Sequence, residues 1–296
     1  MLWNIDLTLV DVTRVTREAY ADAFRTVTGR PLVQLPQMAG RSESEIFFDA
    51  LALNGVDVSA VGPSEQLLAP FGSELATALA ARRDLLARNG HAMPGAREAL
   101  TAVGKLDGVV QTVLTGTSKP NALLKLRTFG LEGFFDFTVG GYGSEPYPKG
   151  ALVRVARLRA AEKYQVALGE HACVYIADSV RDVAAARMGG AVSAAVASGR
   201  STAAELRAAG ADIVLADLTD GDEVAAEVDR LTQPLPRPGP DRAGGRIPWW
   251  PWRVTAGNRR VEHPRISGGW NSWNRPRGPP ARPVPRSVRQ ANWSRN

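Results

Sequence analysis

From Pro94 onward, short β-rich runs alternate with helical stretches, and this alternation constrains the fold more than anything else in the chain. The pattern predicts a helix over 95–103 and a strand over 109–114. Ser118-Lys119-Pro120 opens a helix that Gly130 closes, and a strand is expected over 135–139. A helix over 150–163, a strand over 173–177, a helix over 182–188 and strands over 192–196 and 213–215 complete the series. Strands separated by helices pair in parallel through right-handed crossovers, so the expected class is α/β with a parallel sheet.

Ahead of that series the pattern is different. Leu2-Trp3-Asn4-Ile5-Asp6-Leu7-Thr8-Leu9-Val10 reads as a strand running into a loop. Apolar residues then recur at helical spacing over 13–28, and Gly29-Arg30-Pro31 stops the helix. Ser42 with Glu45 three residues on is a capping-box pattern for a second helix ending before Gly55. A third helical stretch covers 64–89, with a break expected near Pro70-Phe71-Gly72. No strand separates these helices, so they read as a small helical insert after the first strand.

After Thr232 the periodicity stops. That segment holds 12 of the 20 prolines and 6 of the 7 tryptophans: Trp249, Trp250, Trp252, Trp270, Trp273 and Trp293. From Leu235 on it carries 13 Arg, no Lys and 2 acids, a net of +11, which leaves −5 on the rest of a chain whose total is +6. The tail reads as a disordered appendage, one form of which is a read-through extension. A sharper alternative is an Arg/Trp segment that binds RNA or anionic surfaces; apart from that alternative, confined to the tail, nucleic acid is not expected as a partner. No apolar run reaches the roughly 20 residues needed to span a bilayer, and no signal-peptide pattern opens the chain. The lone Cys173 fits a cytoplasmic location, and His91, His171 and His263 show no metal-ligand spacing. The first strand starts almost at Met1, so an earlier start codon is one reading.

Four short signals carry the chemistry. Period-2 alternation puts Asn4 and Asp6 on one side of an extended segment, at its C-terminal end, where open parallel sheets bind ligands. Thr115 ends a strand in Val113-Leu114-Thr115-Gly116-Thr117-Ser118. Lys149 precedes a helix. Asp178 follows Val174-Tyr175-Ile176-Ala177, with Asp182 four residues on. In this order, the motifs resemble those of the haloacid dehalogenase-like hydrolases, with Asn4 where that family carries its nucleophilic Asp. The resemblance covers residues 1 to about 231. Pro94-Gly95 and Ala39-Gly40-Arg41-Ser42 look like the phosphoglycolate phosphatase subgroup.

The resemblance implies a Rossmann-like core from 1–13 and 91–232, a helical cap over 14–90, and a tail over 233–296. It also implies a Mg²⁺ cofactor and a small phosphorylated metabolite as partner. By motif, Asp6 is the general acid/base and offers its backbone carbonyl to metal. Thr115, Gly116 and Lys149 bind the phosphoryl group, Asn4, Asp6, Asp178 and Asp182 form the metal set, and Arg41 faces substrate. Leu7 and Ala177 stand where the family commonly has Gly. An amide is a poor nucleophile, so Asn4 predicts slow or absent turnover. Two functions follow: a Mg²⁺-dependent phosphatase in which Asp6 activates water, or a non-catalytic phospho-ligand binder on the same fold.

Overall fold

The computed structural model describes residues 1–57, 64–145, 148–169 and 172–233. The tail expectations, with His171 and His263, therefore lie outside the described residues. Five strands form a parallel sheet: β1 (Leu2–Trp3), β4 (Thr112–Val113), β5 (Val174–Ala177), β6 (Val192–Val196) and β7 (Ile213–Leu215), in the order β4-β1-β5-β6-β7. Leu2 pairs with Thr112 on one side and Tyr175 on the other. The chain runs from β1 first to one neighbour and later to the other, which opens a crevice beyond the C-terminal strand ends.

The strand period is visible in the packing. Trp3, Val113, Val174 and Ile176 join one buried apolar cluster, whereas Leu2, Leu114, Tyr175 and Ala177 join a second. Successive side chains point to opposite faces, so each face is covered by helices. The helices of the alternating region are α5 (Ala96–Val103), α6 (Lys119–Thr128), α7 (Lys149–Tyr164), α8 (Val180–Gly189), α9 (Ala203–Ala208) and α10 (Gly221–Thr232). Among the described residues no helix is long and apolar enough to cross a membrane.

The helical insert is α1 (Thr13–Thr28), α2 (Glu43–Leu53), α3 (Ser64–Ala81) and α4 (Arg83–Asn89). Helix α1 buries Val15, Ala19, Tyr20, Ala23 and Phe24 and ends at Gly29, whose φ of 69° lets its N–H close on the Arg25 carbonyl. Helix α2 has the expected capping box: Ser42 accepts from Glu45 N–H, and the Glu45 carboxylate accepts from Ser42 N–H at 2.8 Å. The insert shares the first apolar cluster with the sheet. At its centre Phe47 stacks on Phe71 at 4.3 Å and meets Phe24 edge-on.

Two local expectations are corrected, and one pairing is new. Helix α3 runs through Pro70, and the break falls at Arg82. Proline costs the helix one hydrogen bond, and burial of Phe71, Leu75 and Leu79 offsets it. Residues 135–139 are not a strand. The Asp136 carboxylate accepts from both the N–H and the hydroxyl of Thr138, which bends the chain, and only a single bridge from Leu114 to Gly141 follows. A two-residue antiparallel ribbon, β2 (Val10–Asp11) with β3 (His91–Ala92), frames the two chain crossings into the insert and was not expected. Phe47→Ala should cost about 3–5 kcal/mol in urea unfolding, as for other fully buried aromatics; a loss under about 1 kcal/mol would contradict this packing.

Candidate functional site

Asn4, 5% exposed, lies just past β1, where its backbone N–H still donates to the Ile176 carbonyl. Its amide nitrogen donates to the Asp6 carbonyl at 2.9 Å, to Asp178 Oδ1 at 2.9 Å and to Thr8 Oγ1 at 3.2 Å. Its amide oxygen accepts from Lys149 Nζ at 3.1 Å. Thr8 donates to the same Asp178 oxygen at 2.8 Å. Lys149, at the start of α7, pairs with Asp182 at 2.7 Å. Asp182 also accepts from Tyr175 OH at 2.8 Å and from the Ser179 hydroxyl. Asn4, Asp6, Lys149, Asp178 and Asp182 thus meet in one bonded network at the sheet's C-terminal edge.

Burial raises the Asp178 carboxyl from 3.8 to about 6, with the Asp182 charge adding to the rise and Thr8, Lys149 and Asn4 opposing it. Its other oxygen packs on backbone: a Cβ at Gly199 would lie 2.0 Å from it. Leu7, in the tight loop between Asp6 and Thr8, is held at φ 62°, a left-handed conformation that costs a non-glycine residue about 1–2 kcal/mol. Its N–H reaches the Val10 carbonyl and its carbonyl accepts from Ser198, so the loop stays closed despite the strain.

Thr115 is fully buried at the end of β4, and its hydroxyl accepts from Thr117 N–H at 3.2 Å. Ser118, the N-cap of α6, has a buried hydroxyl without a hydrogen-bond partner. Gly116 sits where the insert touches the sheet edge: a Cβ there would lie 1.8 Å from the Arg41 carbonyl. Its own carbonyl accepts from Glu43 N–H at 2.7 Å. A Cβ at Gly40, at φ 69°, would lie 2.4 Å from Arg181 Cβ and 2.5 Å from Ser179 Oγ. The Ala39–Ser42 phrase is therefore wedged between the Thr115 and Asp178 loops. The Arg41 guanidinium points along α2, to Asp49 at 2.6 Å and the Glu45 carbonyl at 2.9 Å.

Several participants were not read from the sequence. Lys125, 1% exposed, grips both Asp6 oxygens at 2.8 Å. Glu43 is buried at the foot of α2, where its carboxylate accepts from Thr117 and from Asn121 at 3.3 Å. Burial raises its pKa, opposed mainly by the Thr117 bond and then by the Lys125 charge. The one sequence signal for Lys125 is its place between Ala122 and Leu126 on the apolar side of α6.

The haloacid dehalogenase-like hydrolase profile matches residues 1–187. The chain belongs to this family. A comparison with curated proteins returned no match. Among solved structures, a hydrolase from Pseudomonas syringae aligns at 22% identity and TM-score 0.56, over 78% of this chain and 98% of that one. A predicted phosphatase from Clostridium acetobutylicum aligns at 16% and 0.55, over 77% and 97%. A predicted phosphoglycolate phosphatase from Haemophilus somnus 129pt aligns at 18% and 0.53, over 78% and 96%. These structures share the fold of this chain over 77–78% of its length.

Haloacid dehalogenase-like hydrolases generally use Mg²⁺. Two oxygens that could serve such an ion, the Asp6 carbonyl and Asp178 Oδ1, both already accept from the Asn4 amide nitrogen. The Asp6 and Asp182 carboxylates are held by Lys125 and Lys149. Among the described residues no three acidic, His or Cys side chains form a metal-binding group. As arranged, the residues do not fit the ion.

Two outcomes are expected. Leu7→Gly should stabilise the fold by about 1 kcal/mol, the relief of strain exceeding the added chain entropy; unchanged or lower stability would argue against strain at this loop. Between about pH 4 and 6 the folded Asp178 still holds its proton whereas the unfolded one has lost it, so its contribution to stability falls as pH rises through that window; above it the folded group is a carboxylate. Asp178→Asn removes that dependence. Its stability relative to wild type, from urea melts in EDTA, should rise by up to about 3 kcal/mol across that window, and a flat difference would contradict the raised pKa.

Proposed function

We propose that this chain binds a small phosphate monoester over the Thr115–Ser118 loop and Lys149, and hydrolyses it slowly with Asp6 as acid/base. The observation that carries this reading is the bonded convergence of Asn4, Asp6, Lys149, Asp178 and Asp182 above the sheet edge. Lys149 supplies a buried positive charge whose position is fixed by Asp182. The unpartnered Ser118 hydroxyl and the first turn of α6 offer donors to an anion. Phosphatase neighbours of the same fold favour a small phosphorylated metabolite as substrate. Residues 14–90 serve as its cap, and the single buried Cys173 favours a cytoplasmic setting.

Asn4 carries no charge and its amide oxygen is a weak nucleophile, so water attacks phosphorus directly. The Asp6 carboxyl group is 39% exposed, the open acid of the cluster, and Lys125 fixes its direction. It takes a proton from the attacking water as the new P–O bond forms. It returns that proton to the leaving oxygen as the ester P–O bond breaks. Lys149 neutralises the phosphoryl oxygens throughout. None of these steps runs through Mg²⁺, which the donor set does not fit. A second reading, a phospho-ligand binder without turnover, is favoured by the same neutral amide.

Phosphate release from phosphoglycolate and a panel of small esters separates the two readings. Wild type should turn over slowly, Asp6→Asn should lose at least about 100-fold, and Lys149→Met should lose both turnover and inhibition by inorganic phosphate. Undiminished turnover in Asp6→Asn would sink the acid/base role. Inhibitor binding without turnover in wild type would select the binder.

A further inference from the structure

We propose that the side-chain amide of Asn4 stands in for a divalent cation, so that the acidic edge of this site is assembled and held without metal. The argument starts from which way the amide points. Its oxygen meets Lys149 Nζ, a group that can only donate, and its nitrogen meets three oxygens. Turning the amide over would set its NH₂ against the ammonium and its oxygen against the Asp178 carboxylate and the Asp6 carbonyl. Every one of those contacts would be repulsive, so the orientation is determined by its partners.

Charge pairing leads to the same conclusion. Lys125 neutralises Asp6 and Lys149 neutralises Asp182. Among the described ion pairs none serves Asp178, which is 2% exposed and is held by neutral donors from Asn4 and Thr8. Its second oxygen lies against Gly199, where an added Cβ would fall 2.0 Å away, in a residue with almost no exposed surface. The acceptors that would attract an ion from this edge are therefore the Asp6 carbonyl and Asp178 Oδ1, and one NH₂ group binds them both. A cation arriving there must displace that group and leave the amide oxygen as the only part of Asn4 able to bind it. That oxygen is the one bonded to Lys149.

An aspartate at position 4 reverses the balance. The same geometry would set two carboxylates side by side, with one oxygen still served by Lys149 and the other facing Asp178 without a proton between them. That arrangement calls for a cation. The inference therefore concerns metal uptake, and it holds whether or not any ester is turned over.

The full-length chain, stripped with EDTA, can be titrated with Mn²⁺ while free Mn²⁺ is followed by its EPR signal. Wild type should leave the signal unchanged at roughly 100 µM protein and equimolar metal, whereas Asn4→Asp should take up about one equivalent. Asp178→Asn in the Asn4→Asp background should abolish that uptake. Thermal melts give a second readout: wild type should melt at the same temperature in EDTA and in Mg²⁺. Asn4→Asp should melt lower in EDTA and rise by several degrees, roughly, when Mg²⁺ is added. One equivalent of Mn²⁺ bound by wild type and lost in Asp178→Asn would overturn the proposal, a result that needs no folded Asn4 variant. Failure of Asn4→Asp to gain Mn²⁺ while it remains folded would overturn it equally. Neither readout contains a phosphate, so a failure here is distinct from a failure of the hydrolysis scheme.

Discussion

The bonds made by Asn4 tie together three parts of the chain that are far apart in sequence. From one side chain, β1 reaches the Asp178 loop after β5 and the first turn of α7. Hydrogen bonds to charged partners in a dry site are worth about 1.5–3 kcal/mol each, and an unsatisfied partner costs a similar amount. Lys149 also has Asp182 as its partner, but buried Asp178 relies on the amide and Thr8. Close packing of Gly40 and Gly116 then holds the insert against this edge.

The parts of the site legible in the sequence are those fixed by strand geometry. Asn4, Asp6, Thr115 and Asp178 all lie just past β-strands, and in a parallel sheet that position brings residues more than 100 apart into one place. Lys149 was legible because a lysine at a helix start after a Gly/Pro turn has a definite address. Lys125 was not. A lysine in mid-helix resembles a solvated charge, and only its apolar neighbours mark it as buried. Glu43 was hidden similarly: an acid in the first turn of a helix satisfies the helix dipole, and nothing local shows that it also receives Thr117 and Asn121.

For the fold, α1 and the α2 cap were legible because their stop and start signals are local chemistry. The β2–β3 ribbon was not, since two residues per strand carry no periodicity. Residues 135–139 have strand composition, but the Asp136 side chain competes for the backbone and wins. Pro70 lies in an otherwise good helix, and tertiary burial of its neighbours decides the outcome.

The Glu43–Thr117–Asn121 contact has a dynamic consequence. Glu43, the first residue of α2, is bonded to Thr117 in the Thr115–Ser118 loop and to Asn121 in α6, so lifting the insert away would uncover its carboxylate to water and free the Thr117 hydroxyl together. Hydration would lower the acid's proton affinity at the moment the loop loosens. The seating of α2 on the sheet edge and the ionisation of Glu43 are thereby linked through one buried carboxylate.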